Sequence, residues 1–172
     1  RRNSPWANSA LVIQVGLEDF GTQGPFAGME FQRRWEEKGF QLGGGNYHAP
    51  AQGLPDFLEG REPSSLRKTS FKPGITPARL EECLPLFVAE SLREALPYFN
   101  RKMPGFSSTE AMLLGIETRT SAPLRILRGE DYQSQNVRGL YPIGEGSGYA
   151  GGIVSSALDG MKAAEAILKK LE

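Results

Sequence analysis

The chain has 172 residues, the length of one ordinary domain or of a piece of a larger protein. Its 20 basic and 20 acidic residues cancel, which argues against a broad electrostatic surface for nucleic acid or an anionic membrane. One cysteine and one histidine allow neither an intramolecular disulfide nor the usual zinc site. No stretch of about 18 apolar residues is present to span a membrane, so we expect a metal-free protein of the reducing cytoplasm.

The first third of the chain predicts short strands and helices punctuated by glycine and proline. Residues 10–16 (ALVIQVG) are mostly apolar and end at a glycine, as a short strand does. The three glycines at 43–45 are expected to end a charged helix. Pro50 should confine its extended segment to a sheet edge or a bulge. We predict extended segments at 10–16, 47–52 and 69–72, and helical segments at 27–41 and 55–59.

Prolines divide the middle of the chain into two predicted helices. Thr76-Pro77 is typical of an N-cap followed by proline at the first helical position, which predicts a helix over 77–83. A second helix is predicted over 85–96, where apolar residues at helical spacing favour core packing. Pro97 is expected to end or kink it. Cys83 lies on an apolar helix face and is predicted to be a small buried hydrophobic residue.

The last third changes character. Strands are predicted at 115–120, 124–128 and 139–143, and the segment GEGSGYAGG follows them. An amphipathic helix is then predicted over 152–170, with Lys169 and Lys170 near its C-terminus, where the helix dipole favours cations. The order of strand, glycine-rich loop and helix is the strongest functional pattern in the sequence.

The glycine-rich loop contains five glycines within nine residues: Gly144, Gly146, Gly148, Gly151 and Gly152. Such a loop lets backbone N–H groups approach a ligand, and the following helix adds unsatisfied N–H groups and a positive dipole end. The expected ligand is a phosphate or an electron-rich ring edge, and a carboxylate at 145 can accept hydrogen bonds from sugar or polyol hydroxyls. The alternative is a glycine-rich turn that only lets helix and sheet pack closely.

Two better known glycine motifs do not fit. The loop lacks the GxxxxGK[ST] spacing, which argues against a nucleoside-triphosphatase P-loop. The GEGSGY stretch is not followed by a βαβ unit of about 30 residues, so a complete dinucleotide-binding fold cannot be built from this loop onward. The pattern therefore indicates the last strand and helix of such a fold.

The segment GLYPIGEGSGYAGGIVSSALDGMKAAEAIL (139–168) resembles the C-terminal FAD-binding segment of two-dinucleotide-binding-domain flavoproteins. The chain as a whole resembles a bacterial family of uncharacterised FAD-dependent dehydrogenases. That likeness extends to SPWANSALVIQV (4–15), GMEFQRRWEEKGFQLGGGNYHAPAQ (28–52) and GIETRTSAPLRILR (115–128). The resemblance implies an FAD-dependent oxidoreductase that transfers hydride through the flavin, with an unknown substrate.

The resemblance also implies a split domain organisation. Residues 1–16 would be a return strand segment of the FAD domain, 17–114 an inserted cap or substrate domain, and 115–172 the C-terminal part of the FAD domain. The fold class expected is an α/β or α+β fragment, because the N-terminal FAD-binding half with its GxGxxG fingerprint is missing. The expected partners are that missing half and a small-molecule substrate, with NAD(P)H as a candidate electron donor. By itself the chain should bind FAD poorly or not at all and be inactive.

The resemblance assigns the glycine-rich loop to the flavin. Glu145 takes the position of an aspartate that, in related flavoproteins, binds the ribityl hydroxyl nearest the phosphates. The loop backbone would donate hydrogen bonds to the flavin and ribityl chain, and the helix N-terminus would stabilise negative charge on the reduced ring. The predicted cofactor-binding residues are Gly144, Glu145, Gly146, Gly148, Tyr149, Ala150, Gly151, Gly152 and Ile153.

Two arginines are predicted to bind substrate. Arg119 and Arg125 flank a predicted strand pair, where a guanidinium can meet a substrate carboxylate or a nicotinamide-cofactor phosphate. The alternative is a surface charge or an ion pair with Glu117 or Glu130. No side chain is assigned as a catalytic acid or base. The competing hypothesis for the whole chain is a non-catalytic nucleotide-binding or protein-interaction module with a structural glycine-rich loop.

Overall fold

The computed structural model describes residues 5–21 and 24–171, which form two compact units. The first unit comprises the described residues of Arg1–Gly16 and Arg33–Thr118, and the second those of Leu17–Gln32 and Arg119–Glu172. The helices are α1 (Leu17–Phe20), α2 (Ala27–Leu42), α3 (Leu54–Glu59), α4 (Leu86–Lys102) and α5 (Ile153–Leu171). The strands are β1 (Ala49–Gly53), β2 (Ile75–Pro77) and β3 (Met112–Leu114). The mixed α/β class is confirmed, whereas the division at 16 and 114 stays a prediction.

A small mixed sheet lies in the first unit. Its strand order is β2-β1-β3, with β1 parallel to β2 and antiparallel to β3. Pro50 is therefore on the central strand, and the prediction of an edge or bulge was wrong. It lies one residue outside the β1–β3 pairing, where its carbonyl accepts a hydrogen bond from the N–H of Gly115 (2.8 Å). Because proline has no N–H group, Pro50 cannot donate a hydrogen bond back to Gly115. Only this one bond, at the end of the β1–β3 pairing, is lost.

The core of the first unit forms where α3, α4 and a 3-10 turn at Leu80–Glu82 come together. Helix α3 starts directly after β1 and ends at Gly60, which adopts the left-handed conformation that a helix C-terminus favours (φ 65°). The sulfur of Cys83 is buried, and burial raises the pKa of its thiol to about 11, so its prediction as a buried hydrophobic residue is confirmed. The buried core residues are Leu54, Phe57, Leu80, Cys83, Ala89 and Leu96.

Two buried polar side chains tie the segment after α3 to this core. The Nε2 group of Gln52 donates to the carbonyl of Arg61 (2.7 Å), and its Oε1 atom accepts from the N–H of Leu80 (3.1 Å). Asp56 accepts hydrogen bonds from the N–H (2.9 Å) and the hydroxyl (2.8 Å) of Ser64. These bonds hold the pKa of Asp56 below its ordinary value. Both side chains therefore avoid the cost of an unpaired buried polar group.

Several predicted elements differ from the structure. Thr76-Pro77 lies in β2 and not at a helix N-terminus, because the segment pairs with β1. Pro97 lies inside α4, which continues to Lys102 while Leu96 is almost completely buried beside the proline. Packing on the core thus outweighs the local helix-breaking tendency. The segments 10–16, 69–72, 115–120, 124–128 and 139–143 form no strand, apart from a single bridge at Arg128.

The predicted C-terminal helix is confirmed as α5, and it packs through its small residues. Ala163 is 2% exposed and Ile167 is partly buried, whereas the other large apolar side chains of α5 lie on the exposed side of the helix. We call that side the α5 outer face. It consists of Ile153, Val154, Leu158, Met161, Leu168 and Leu171, all at least half exposed.

Two further observations limit the chemistry of the described residues. None of the helices within 5–21 and 24–171 combines the length and the apolar content required to cross a bilayer. In the same residues, histidine, cysteine and carboxylate side chains do not come together in groups of three or more that could hold a metal ion.

Candidate functional site

The glycine-rich loop leads from Gly144 through a 3-10 turn (Glu145–Ser147) into α5. Gly144 has φ 70° and ψ −159°, a region essentially open only to glycine. Gly148 is left-handed (φ 83°), and a Cβ there would lie 2.4 Å from the carbonyl oxygen of Leu124. The backbone of the chain itself therefore requires glycine at these two positions.

The other three glycines of the loop are not required by their surroundings in this chain. A Cβ at Gly146 or Gly151 would meet no atom within 4 Å, and one at Gly152 would meet only the Ser155 hydroxyl at 3.4 Å. None of the three has a positive φ. We call them the open glycines. The absence of a side chain at these positions leaves room for a group outside the chain to approach the backbone closely.

Backbone donors lie beside the open glycines. The N–H of Gly152 donates to the hydroxyl of Ser155 (3.1 Å). The first N–H groups of a helix have no intrahelical partner and carry the positive end of the helix dipole. Within the described part of the chain, nothing accepts a hydrogen bond from the N–H groups of Ala150, Gly151, Ile153 and Val154.

Both arginines predicted to bind substrate contact this loop. The Arg119 guanidinium lies 3.8 Å from the Glu145 carboxylate, and both side chains are about half exposed. The Nε of Arg125 donates to the carbonyl of Gly148 (3.0 Å), and its guanidinium carbon lies 4.9 Å from the centre of the Tyr149 ring. The structure thus brings the two predicted groups of residues together, while their roles in binding stay predictions. The ion pair of Arg119 is with Glu145 and not with either predicted partner.

The sequence pattern did not reveal a second group of residues behind the loop, centred on Arg128. Its guanidinium donates to both carboxylate oxygens of Asp159 (2.6 and 2.9 Å) and to the carbonyl of Pro142 (2.7 Å). The same carboxylate accepts a hydrogen bond from the N–H of Gly144 (2.8 Å). The two charged side chains are only 9% and 12% exposed. This bidentate pair therefore connects α5 to the start of the loop.

Two aromatic rings complete this group, which we call the Arg128 cluster: Arg128, Asp159, Tyr132 and Tyr149. The guanidinium carbon lies 3.7 Å from the centre of the Tyr149 ring and 4.3 Å from that of Tyr132. The Tyr149 hydroxyl accepts a hydrogen bond from the N–H of Arg128 (3.2 Å). The pairing holds the pKa of Asp159 below its ordinary value and raises that of Arg128.

One local signal could have revealed the Arg128 cluster. Asp159 lies on the side of α5 that carries Ser156, Gly160 and Ala163, which is the buried side. A carboxylate on a face of small residues has to be paired when that face is buried. The sequence does not say which of its arginines provides the pair, because Arg128 is 31 residues away.

Comparison with known proteins places the chain in a family. Residues 1–120 match the family described as "FAD-dependent protein, C-terminal domain-like". An uncharacterized protein of Clostridium beijerinckii is 49% identical over 168 residues, which cover 96% of this chain and 32% of that protein. The chain thus spans about a third of the length of this relative. The family match ends before the glycine-rich loop, whereas the similarity to the relative extends over nearly the whole chain. The chain belongs to this family of C-terminal portions of FAD-dependent proteins.

Proposed function

We propose that the full-length protein is an FAD-dependent oxidoreductase and that the open glycines, with the N-terminus of α5, bind the flavin part of FAD. The observation that carries the proposal is the space at Gly146 and Gly151, which no atom of the described residues fills, beside four backbone donors that find no acceptor among those residues. Family membership supports FAD as the ligand. When bound, the flavin supplies hydride transfer, while the protein binds and orients it.

Each part of the loop then has a distinct role. The N–H groups at the start of α5 donate hydrogen bonds to electron-rich atoms of the ring and place positive dipole charge beside them. The half-exposed carboxylate of Glu145 accepts hydrogen bonds from ribityl hydroxyls. Arg119 and Arg125 hold exposed cationic groups near the loop, where a substrate carboxylate or a phosphate of NAD(P)H could pair with them. This chain therefore supplies binding and orientation, and no acid or base is assigned.

The partner of the α5 outer face is proposed to be the N-terminal FAD-binding half of the same protein. Six apolar side chains form this face, and Ile153 is 92% exposed. A contiguous apolar surface of this kind is typical of an interface. The Clostridium beijerinckii relative is about three times as long as the part that this chain matches, which is consistent with a longer protein in which further chain covers the face.

The proposal is tested first on the full-length protein. We expect bound flavin with visible absorbance after gentle purification, or saturable binding when the apoprotein is titrated with FAD. A protein that shows neither would exclude FAD-dependent catalysis. The coding sequence upstream of Arg1 gives an independent test, since a strand–GxGxxG–helix unit there is required to hold the ADP half.

A single methyl group tests the open glycines. Gly151→Ala adds a Cβ where the chain leaves room, so the fold should be unchanged while FAD affinity falls by about tenfold or more, or about 1.4 kcal/mol. The matched control is Gly160→Ala on α5, whose Cβ would meet only Ile143 at 3.7 Å. Equal FAD affinity in both variants and wild type would remove the open glycines from the flavin site.

The alternative is a non-catalytic module with a purely structural loop. It accounts for Gly144 and Gly148, whose backbone conformations require glycine. It gives no reason for the open glycines, which is why the flavin proposal is preferred. Unchanged properties of Gly146→Ala and Gly151→Ala in a protein that binds no FAD would favour the module.

A further inference from the structure

We propose that Arg128, locked by Asp159, is a positioning residue for the flavin: the Arg128 cluster sets the shape of the glycine-rich loop from behind. The inference rests on the proposed function, because it assumes that this loop binds FAD. It concerns Arg128, Tyr132 and Asp159, which neither the glycine pattern nor the family description identifies, and their contact with Tyr149 of the loop.

The first argument is that the Arg128–Asp159 pair holds the entrance of the loop by two separate bonds. The guanidinium donates to the carbonyl of Pro142 (2.7 Å), and the carboxylate accepts from the N–H of Gly144 (2.8 Å). Gly144 adopts its glycine-only conformation at this point. Its carbonyl then accepts a hydrogen bond from the N–H of Tyr149 (3.2 Å), which closes the loop on itself.

The second argument is that the same guanidinium holds the far end of the loop. The Tyr149 ring lies over Arg128, with 3.7 Å between the ring centre and the guanidinium carbon. The Tyr149 hydroxyl also accepts a hydrogen bond from the backbone N–H of Arg128 (3.2 Å), so both the ring and its tip are fixed. Tyr149 directly precedes Ala150 and Gly151, whose N–H groups are proposed flavin donors. A displacement of the Arg128 side chain is therefore expected to move the N–H groups of Ala150 and Gly151 through Tyr149 alone.

The third argument concerns why the residue is arginine. A planar guanidinium can donate bidentately to a carboxylate, donate to a carbonyl and stack between two rings at the same time. Lysine would keep the charge but lose the fork and the flat face. The pair is largely buried, so water cannot replace the lost bonds easily. Arg128→Lys is thus a variant that changes geometry and keeps charge.

The experiment compares the full-length wild type, Arg128→Lys and Arg138→Lys, where Arg138 is an exposed arginine of the same unit. The measurements are FAD affinity by titration of the apoprotein, the visible circular dichroism of the bound flavin, and the thermal midpoint of the apoprotein. For Arg128→Lys we expect about tenfold or greater loss of FAD affinity and an altered flavin dichroism. Arg138→Lys should behave as wild type in all three measurements.

Each result distinguishes the positioning role from its competitors. A lower thermal midpoint with unchanged FAD affinity and unchanged dichroism would show that Arg128 only stabilises the fold, which overturns the inference and leaves the proposed function standing. A wild type that binds no FAD overturns both. Should Arg128→Lys not fold, Asp159→Asn decides, since it keeps the shape of the side chain, removes the charge that holds the Arg128 guanidinium, and leaves the glycine-rich loop itself unchanged. An altered flavin dichroism in Asp159→Asn supports the inference, and an unaltered spectrum with wild-type affinity overturns it.

Discussion

The two units of the molecule differ in the interactions that stabilise each of them internally. Of the ten described hydrophobic residues that are buried, nine lie in the first unit, and Ala163 is the one in the second. The first unit therefore has an apolar core of its own, with Phe57 fully buried within it. The second unit instead relies on the Arg128 cluster and on loop hydrogen bonds, while the α5 outer face is exposed.

The difference indicates that the two units rely on apolar burial to different degrees. Apolar burial supplies the main driving force of folding, and the first unit has it in place. In the second unit, a nearly buried ion pair gives geometric definition but is weak evidence for stability. The second unit thus combines a loop fixed by hydrogen bonds with an exposed apolar helix face.

The largest effect is expected in the core of the first unit. Phe57→Ala should lower the free energy of unfolding by about 3–5 kcal/mol, because it removes a fully buried ring and leaves a cavity. Urea unfolding followed by tryptophan fluorescence measures this loss, since both tryptophans, Trp6 and Trp35, belong to the first unit. Phe71→Ala is the control, because Phe71 is 41% exposed. Similar losses for the two variants would show that the first unit lacks a dominant core.

The next effect tests the backbone of the second unit. Gly148→Ala should cost about 1–3 kcal/mol of stability, because alanine is strained at φ 83° and its Cβ would contact the Leu124 carbonyl. Gly146→Ala, in the same loop but without those constraints, should be close to neutral. Thermal unfolding followed by the far-ultraviolet dichroism of helix compares the two variants. Equal stability of both would mean that the loop does not hold the shape described.

A smaller effect follows from acid titration of the Arg128 cluster. The pKa of Asp159 is lowered below its ordinary value near 3.8, chiefly by the hydrogen bond from Arg128. The unfolded state then takes up a proton at higher pH than the folded state, so the unfolding free energy declines as the pH falls below about 3.8. Asp159→Asn should remove this part of the pH dependence, measured as urea midpoints between neutral and acid pH.

The first unit provides the comparison for that titration. Asp56 also has a lowered pKa, through its hydrogen bonds with Ser64, so Asp56→Asn should reduce the acid sensitivity detected by tryptophan fluorescence. Identical pH dependence of wild type and Asp159→Asn would contradict the assignment of a stabilising charge to the Arg128 cluster. The two variants together separate the acid sensitivity of the units.

The sequence predicted best where a pattern is local and long. Helix α5 has 19 residues of amphipathic spacing, and the predicted helix over 152–170 differs from it by one residue at each end. The glycine-rich loop and its position before α5 were equally evident. Short apolar runs such as 10–16 were misread, because a strand also needs a partner and local apolarity does not supply one. The helix predicted to begin at Thr76-Pro77 was wrong because these residues pair with β1, and this pairing outweighs the local helix signal.

The sequence predicted the glycine-rich loop and the two exposed arginines of the candidate site, but not the Arg128 cluster behind the loop. Arg119 and Arg125 were selected for their chemistry, and the structure brings both to the loop. Arg128 was not selected, although it lies three residues after Arg125, because its partners are distant in sequence. A bidentate pair between a loop and the buried face of a helix depends on how α5 packs, which periodicity alone does not determine.

The smallest effect in this chain gives the sharpest test of the comparison. Leu168 on the α5 outer face is 61% exposed, and Leu168→Gln keeps a good helix former, so stability of the 172-residue chain should change by no more than about 0.5 kcal/mol. In the full-length protein the same substitution should cost about 1.5–3 kcal/mol, because the side chain is then buried. Urea unfolding of both forms, with Lys169→Gln as a neighbouring control, measures the difference. An equally small change in the two forms would mean that the outer face stays exposed, and the second unit would then be complete without a covering partner.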